Sequence, residues 1–380
     1  MGLRLPLARR QHQELNPTVI DSKEPTMSRF VQLHILTNYP PSNLNRDDTG
    51  RPKTALMGDA LRLRVSSQSQ KRAWRTSDAF EAALDGYLGT RTKMLGKEVF
   101  AVLSAAGVPD KAAREWARSM AGCFGKPKSD KKTENYEDLE IEQLAHISPE
   151  EREAVNELAK GCAERKSEPT KDELNLLRQP RKGVDIAMFG RMLADSPAFN
   201  VEAAVQVAHA VTVHKAAVED DYFTAVDDLN KGLEDKGASH IGERGYGAGL
   251  FYLYVCIDRE LLQSNLGADA ALTGKALEAL IHAATKVSPT GMQNSHASRA
   301  YASYVLAEKG DQQPRSLVQA FLKPIKPFDD QSMLDLAVSA IVKRCDNFDK
   351  VYGSCADSRY AINVEAGEGS LTELAAFVRA

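Results

Sequence analysis

The stretch from Leu61 to Arg75, LRLRVSSQSQKRAWR, constrains this chain more than any other. Leu61, Leu63 and Val65 alternate with Arg62, Arg64 and Ser66, the two-residue period of a strand with one apolar and one polar face. The period then changes to that of a helix. Ser67, with Gln70 three residues on, forms a capping-box pattern at the helix start. At helical spacing Ala73, Ser77, Phe80 and Leu84 share one face, with Gln68, Lys71, Arg72 and Arg75 opposite. The segment holds five cations and no acid, and the two periods put most of them on one solvent side. A helix N-terminus beside them adds backbone N–H donors, which suits phosphate. Ser66, Ser67, Gln68 and Ser69 can contact phosphate or ribose without reading sequence. A solvated basic face explains the same pattern, and on the residues alone both readings stand.

The rest of the chain supplies mixed elements around this segment. Val31, Leu33 and Ile35 alternate with Gln32 and His34 in a half-buried strand expected over Phe30–Leu36. The turn-rich NYPPSNLNRDDTGRPK follows as an exposed loop. Residues 1–26 have no sustained period and are expected to be an appended, disordered leader. From residue 85 to about 178 the chain is charged and helical in pattern, with a basic turn (KPKSDKK, 126–132) and an acid-rich stretch from Glu134 to Glu164. The simplest reading is a second domain of amphipathic helices inserted after the first helix. Strand signals return at Val184–Phe189 and Ala208–His214. The polar, glycine-studded stretch from Glu219 to Gly249 is long enough to form a protruding arm. Leu250–Ile257 reads as a buried strand, and helices are expected at 275–286 and 332–345.

Composition excludes several classes. With 49 Lys+Arg against 52 Asp+Glu, the formal charge of −3 rules out a uniformly basic, tail-driven nucleic-acid binder, so polyanion affinity must be local. No apolar run approaches the ~18 residues that span a bilayer, and the N-terminus lacks the apolar core of a signal peptide. The five cysteines (Cys123, Cys162, Cys256, Cys345, Cys355) form no C-x-x-C pair, so neither zinc nor a disulfide framework is signalled, and a cytoplasmic location is expected.

Catalytic patterns are sparse. Asp47-Asp48 can hold a divalent metal beside a substrate phosphate, or can simply form a turn. His209 and His214 fall on opposite faces of their strand, and His34 reads as structural. Gly245-Tyr-Gly-Ala-Gly precedes a strand, whereas a dinucleotide fingerprint follows one. Tyr222-Phe223, in an acidic arm, can wedge between bases, dock on a neighbouring subunit, or anchor the arm to its own domain. The residues alone stop at a mixed α/β protein with a candidate polyanion face and no evident active site.

Five blocks carry a resemblance: FVQLHILTNYPPSNLNRDD (30–48), LRVSSQSQKRAWR (63–75), GVDIAMFGRM (183–192), AHAVTVH (208–214) and DYFTAVDDL (221–229). They are similar to the CasC family, the backbone subunit of the type I-E CRISPR Cascade complex. The likeness runs from about Met27 towards the C-terminus and is weaker in the helical insertion and after about residue 290. It implies an α+β hand: a modified RNA-recognition-motif (ferredoxin-like) palm over 27–84, 181–214 and 247–380, a helical fingers insertion over 85–180, and a β-hairpin thumb over 215–246. Residues 1–26 have no counterpart.

The resemblance further implies a non-catalytic protein without metal or cofactor. Copies stack head-to-tail along a guide RNA, kink it at regular intervals and present it to target DNA, together with the large, small, head and 5′-handle subunits of Cascade. By matching blocks, Arg46, Lys53, Ser66, Gln68, Lys71 and Arg75 would hold phosphates and riboses. Arg191 and Met192 would pack beside bases, and Tyr222, Phe223 and Thr224, with His240, would form the thumb contact. Tyr222 stands where the family pattern has an indole. Such binding ignores sequence and leaves specificity to base pairing. An alternative is the metal-dependent ribonuclease activity of type III backbone subunits, with Asp47 or Asp48 as the catalytic carboxylate. The balanced charge then reads as a basic palm edge summed with acid-rich fingers and thumb, faces that would meet in a stack.

Overall fold

Strand β1 (Phe30–Ser42) runs through the middle of the molecule because both of its faces are covered. The computed structural model describes residues 27–128, 135–176, 183–193, 197–225 and 240–380. The leader, the end of the basic turn and the tip of the arm, as read from sequence, lie outside these residues. Numbering along the chain, β1 pairs antiparallel with β9 (His240–Asp258) on one side and β10 (Ala302–Gly310) on the other. The sheet continues in the order β11 (Ser358–Asn363), β10, β1, β9, β7 (Ala210–Thr212), β3 (Ala60–Val65), β2 (Thr54–Met57). Strands β6 (Val205–Val207) and β8 (Glu219–Ala225) also pair with β9. The chain is therefore α+β, with one large antiparallel sheet and helices on both of its faces.

Val31, Leu33 and Ile35 point to one face and meet Val255 and Ile257. Over them pack α1 (Ser67–Arg75), α2 (Asp78–Ala83), α7 (Val184–Phe189), α8 (Arg259–Asn265), α9 (Ala270–Lys286) and α12 (Leu371–Arg379). Each such aliphatic side chain contributes about 1.5–3 kcal/mol by leaving water. Leu36 points the other way, joining Tyr252, Leu306, Phe321 and Ile341 beneath α11 (Met333–Tyr352). The strand expected to be half-buried is thus buried on both faces, and its polar residues Gln32 and His34 are interior.

Their burial is compensated by a charged knot. His34 Nδ1 contacts the Tyr252 hydroxyl at 2.8 Å and Nε2 contacts Glu308 Oε2 at 3.1 Å. Arg315 donates to both Glu308 oxygens at 2.6 and 3.0 Å, and Arg359 adds a bond at 2.8 Å. Burial pushes the His34 imidazole below its ordinary pKa. Burial opposes charge on Glu308 too, but hydrogen bonds from His34 and Arg315 prevail and hold its carboxyl well below the usual range.

A second core lies between α2 and α7 in sequence. The ribbon of β4 (Thr90–Thr92) and β5 (Ala145–Ile147) joins α3 (Leu95–Ala105), α4 (Asp110–Ala121), α5 (Pro149–Arg165) and α6 (Lys171–Leu176). Leu95, Val99 and Leu103, four apart on α3, meet Ala113, Ala117 and Met120 of α4 and Val155 and Ala159 of α5. Helix α5 opens with a full capping box between Ser148 and Glu151. A short helix, α10 (Gln293–His296), precedes β10. No helix among the described residues is long and apolar enough to cross a membrane.

Several expected elements are corrected. Val184–Phe189 is a helix, not a strand; a short continuous apolar run has no period to separate the two, and all-round burial suits either. The strand expected over Ala208–His214 shrinks to Ala210–Thr212. Helix α1 stops at Arg75, and Ser77 caps a separate α2, its Oγ accepting from Phe80 N at 3.4 Å. Strand β1 extends through Pro40-Pro41, where its pairing with β9 shifts register, a place that tolerates residues without an N–H. On β3, Arg62 is fully buried and donates to the carbonyls of Thr212 and Phe321 at 2.9 and 2.8 Å, while Leu61 is exposed. The layer under α11 covers the face that alternation assigns to solvent.

Candidate nucleic-acid interface

Ser66, not Ser67, caps α1: its Oγ accepts from Ser69 N at 3.3 Å, and its own N–H donates to Asn45 Oδ1 at 2.9 Å. Ser66 is therefore buried, and Gln68 stands exposed in the first turn. That turn holds no acid to offset the helix dipole. Trp74 and Ala73 face the core, leaving Lys71 and Arg72 outward.

The cations of this region divide by their partners. Arg75 Nε donates to the buried Asp185 Oδ2 at 2.8 Å, and Asp185 also binds His146 Nε2 at 2.8 Å and accepts from Gly89 N at 2.8 Å. That carboxylate ties α1 to the second core. Arg191, expected beside bases, is instead buried: it donates to both oxygens of Glu151 at 2.8 and 2.7 Å and to His146 O at 3.1 Å. Breaking a buried ion pair by removing one partner is costly, so Arg191 is committed to this joint, while its neighbour Met192 is exposed. By contrast, Arg46, Lys53, Arg64, Lys71, Arg72 and Arg91 form no ion pair among the described residues. Burial, and then the positive charge of Arg91, push Lys71 below its ordinary pKa.

The loop from Asn43 to Lys53 carries this edge towards the hairpin. Asn43 Nδ2 donates to Gly50 O and Gly245 O, both at 2.9 Å, and Lys53 N donates to Asn45 O at 2.8 Å. Asp47 Oδ1 accepts from Thr49 N, Thr49 Oγ1 and Arg51 N, and the Thr49 hydroxyl bond leads in holding its carboxyl below the ordinary range. This is the turn reading of the Asp47-Asp48 pair. Among the described residues no three His, Cys, Asp or Glu side chains converge as a metal-ligand set. Arg51 pairs with Asp220 at 2.7 Å, fastening the loop to β8. Arg46 and Arg244 line a cleft of about 510 Å³ alongside Thr49, Gly245 and Met292.

In the hairpin of β8 and β9, Phe223 lies across from Gly242, whose hydrogen sits where any Cβ would strike the ring, and Arg244 stacks over it at 4.6 Å. Phe223 thus anchors the arm to itself. Tyr222, on the alternate face, is 65% exposed, and Thr224 is exposed beside it. The backbone of His240 pairs with Ala225; its side chain is outside the described residues. From sequence, Arg91 and Asp185 carry no assigned role, and His209 is considered only beside His214. A short polar ribbon (TRT), an acid inside an apolar run and a histidine at a strand end carry no signal of the partners that folding brings them.

Fold and face together define an antiparallel α+β protein with unpaired cations along one sheet edge and one helix, next to a hairpin with an outward tyrosine. The chain belongs to the family described as CT1975-like protein, which its sequence matches over residues 31–377. A chain of a "CRISPR RNA-guided surveillance complex, pre-nicking" is similar at 28% identity and a TM-score of 0.78, covering 92% of this chain and 99% of that one. A chain of another "CRISPR RNA-guided surveillance complex" shares the fold at 24% identity and a TM-score of 0.69, with the same coverage. No curated protein matches.

Proposed function

We propose that this chain is the guide-RNA-binding backbone subunit of a CRISPR surveillance complex of type I-E kind. Several copies follow one another head-to-tail along the guide, kink it at regular intervals and hold it open for pairing with target DNA, beside the other Cascade subunits. The observation that carries the reading is the set of cations around α1 that lack acid partners among the described residues, combined with a helix N-terminus free of acids. Cations already paired within the fold cannot release counterions from RNA; unpaired ones can, and they do so whatever the base sequence. The similarity to chains of guided surveillance complexes supports the same reading.

The subunit is non-catalytic in this reading, since Asp47 is occupied by its own turn. The test is assembly on guide RNAs of increasing length, with mass measured by native mass spectrometry. Copy number rises in steps with length if the reading holds; binding without ordered stoichiometry overturns it. Evenly spaced magnesium-dependent cuts in a complementary RNA, lost in Asp47→Ala/Asp48→Ala, would instead establish the ribonuclease.

A further inference from the structure

His209 sits in the two-residue gap between β6 and β7, exposed, with Ala208 N donating to Tyr254 O at 2.9 Å to fix the backbone. Arg64 on β3 donates from Nη1 to His209 Nδ1 at 2.6 Å. A guanidinium has no acceptor, so this contact requires an unprotonated Nδ1 and leaves the proton on Nε2. Lys53 lies on the same side, its carbonyl accepting Arg64 N at 2.8 Å. Neither cation pairs with an acid among the described residues. Among the described residues, the charged groups acting on the imidazole are Arg64 and Lys53. Burial, then Arg64 and Lys53, depress its pKa. Strands β6 and β7 carry no ionisable residue; α1, which packs on β6, adds only cations, α7 adds Asp185, already held by Arg75 and His146, and β9 brings Tyr252, Tyr254 and Cys256 beside them.

We propose that Lys53, Arg64 and His209 form a phosphate seat in which His209 gains a proton as the anion arrives. A phosphate oxygen entering between Arg64 and His209 accepts from the guanidinium and replaces Nδ1 as its acceptor. Nδ1 then takes one proton from solvent and donates to the same anion. No bond between heavy atoms changes: one N–H bond forms at Nδ1, its proton drawn from solvent, for each seat whose histidine was neutral. This deepens the guide-RNA reading and rests on it: the ligand is a backbone phosphodiester, and its binding becomes acid-favoured. The sign follows from linkage. The bound pKa lies above the free one, so the extra affinity is present below the free pKa and fades as pH rises through the bound one.

The experiment is binding of the full chain to oligouridylate, whose bases do not titrate between pH 5.5 and 8. A one-unit rise in pKa predicts about tenfold tighter binding at the acid end. His209→Gln, which keeps an acceptor for Arg64, removes that pH dependence. In parallel, the His209 imidazole is followed by NMR with inorganic phosphate, and its pKa rises if the seat exists. Affinity that ignores pH, a pH slope that survives His209→Gln, or an imidazole unmoved by phosphate overturns the seat. If the wild-type chain does not bind oligouridylate at any pH, the guide-RNA reading fails, and the phosphate titration still decides the seat by itself.

Discussion

The unpaired rim and the buried knot around Glu308 use the same residue types to opposite ends. In the knot, Arg315 and Arg359 reach a fully buried carboxylate at 2.6 and 2.8 Å, and Arg359 also reaches Asp349 at 2.7 Å, so two acids balance the two cations. On the rim, Lys53, Arg64, Lys71, Arg72 and Arg91 reach no carboxylate among the described residues, and Lys71, depressed first by burial and then by Arg91, has no acid to restore it. A cancelled charge has little field beyond its own contacts; an uncancelled one attracts polyanions across a Debye length, about 8 Å at physiological ionic strength. What an arginine does here is decided by whether folding delivers an acid to it. Arg62 and Arg64, two residues apart on one strand, differ in burial: the first satisfies interior carbonyls, while the second reaches His209 and the Thr54 carbonyl at the surface and no acid among the described residues.

The sharpest way to break the comparison is to uncancel the knot. Glu308→Gln leaves the Arg315 guanidinium facing a neutral amide in the interior, while Arg359 keeps Asp349, and lowers stability by about 3–5 kcal/mol in urea unfolding, with RNA affinity of the folded protein unchanged. The knot also predicts acid sensitivity. Glu308 has a depressed folded pKa, so its stabilisation is present above the ordinary carboxylate value and lost as pH falls towards the folded one. His34, depressed as well, adds to the loss below its ordinary value, where the unfolded chain takes up a proton that the buried ring resists. Stability therefore falls on acidification, and the Glu308→Gln protein shows a shallower acid limb. A cost under ~1 kcal/mol would mean the knot is not what secures the sheet against α11.

Reversing the rim tests the other half. Lys71→Glu with Arg72→Glu weakens RNA binding about 10–100-fold across all sequences and flattens the salt dependence by about 1.4 in log–log slope, from two lost phosphates. Thermal unfolding stays near the wild-type midpoint, because neither residue holds an acid partner among the described residues. Unchanged affinity at elevated salt would remove α1 from the RNA path. The smallest expected effect is at the hairpin: Tyr222→Ala costs about 1 kcal/mol of RNA affinity through lost stacking and leaves stability within ~0.5 kcal/mol. If stability drops instead, Tyr222 joins Phe223 as an anchor.

Much of the framework was readable from residues. The helices expected at 275–286 and 332–345 occur as α9 and α11, longer at one or both ends, and Leu250–Ile257 is the core of β9. Long periodic segments carry their own signal. Short ones do not: the buried run of α7 passed for a strand, and a single serine's shift of the α1 cap turned on Asn45, distant in sequence. At the candidate interface, the acid-free stretch from Leu61 to Arg75 shows where cations cluster, but not which of them lack an acid partner among the described residues.

Local periodicity and the clustering of Lys and Arg without acids are properties of neighbours along the chain, so the strand–helix segment and its cationic character were determined by sequence alone. The second covered face of the sheet, the commitment of Arg62, Arg75 and Arg191 to carbonyls, Asp185 and Glu151, and the meeting of Arg64 with His209 were decided only by tertiary structure. The reason is physical: hydrogen bonds and ion pairs act over a few ångströms, and these partners lie from 40 to more than 150 residues apart in the chain until the fold closes that distance.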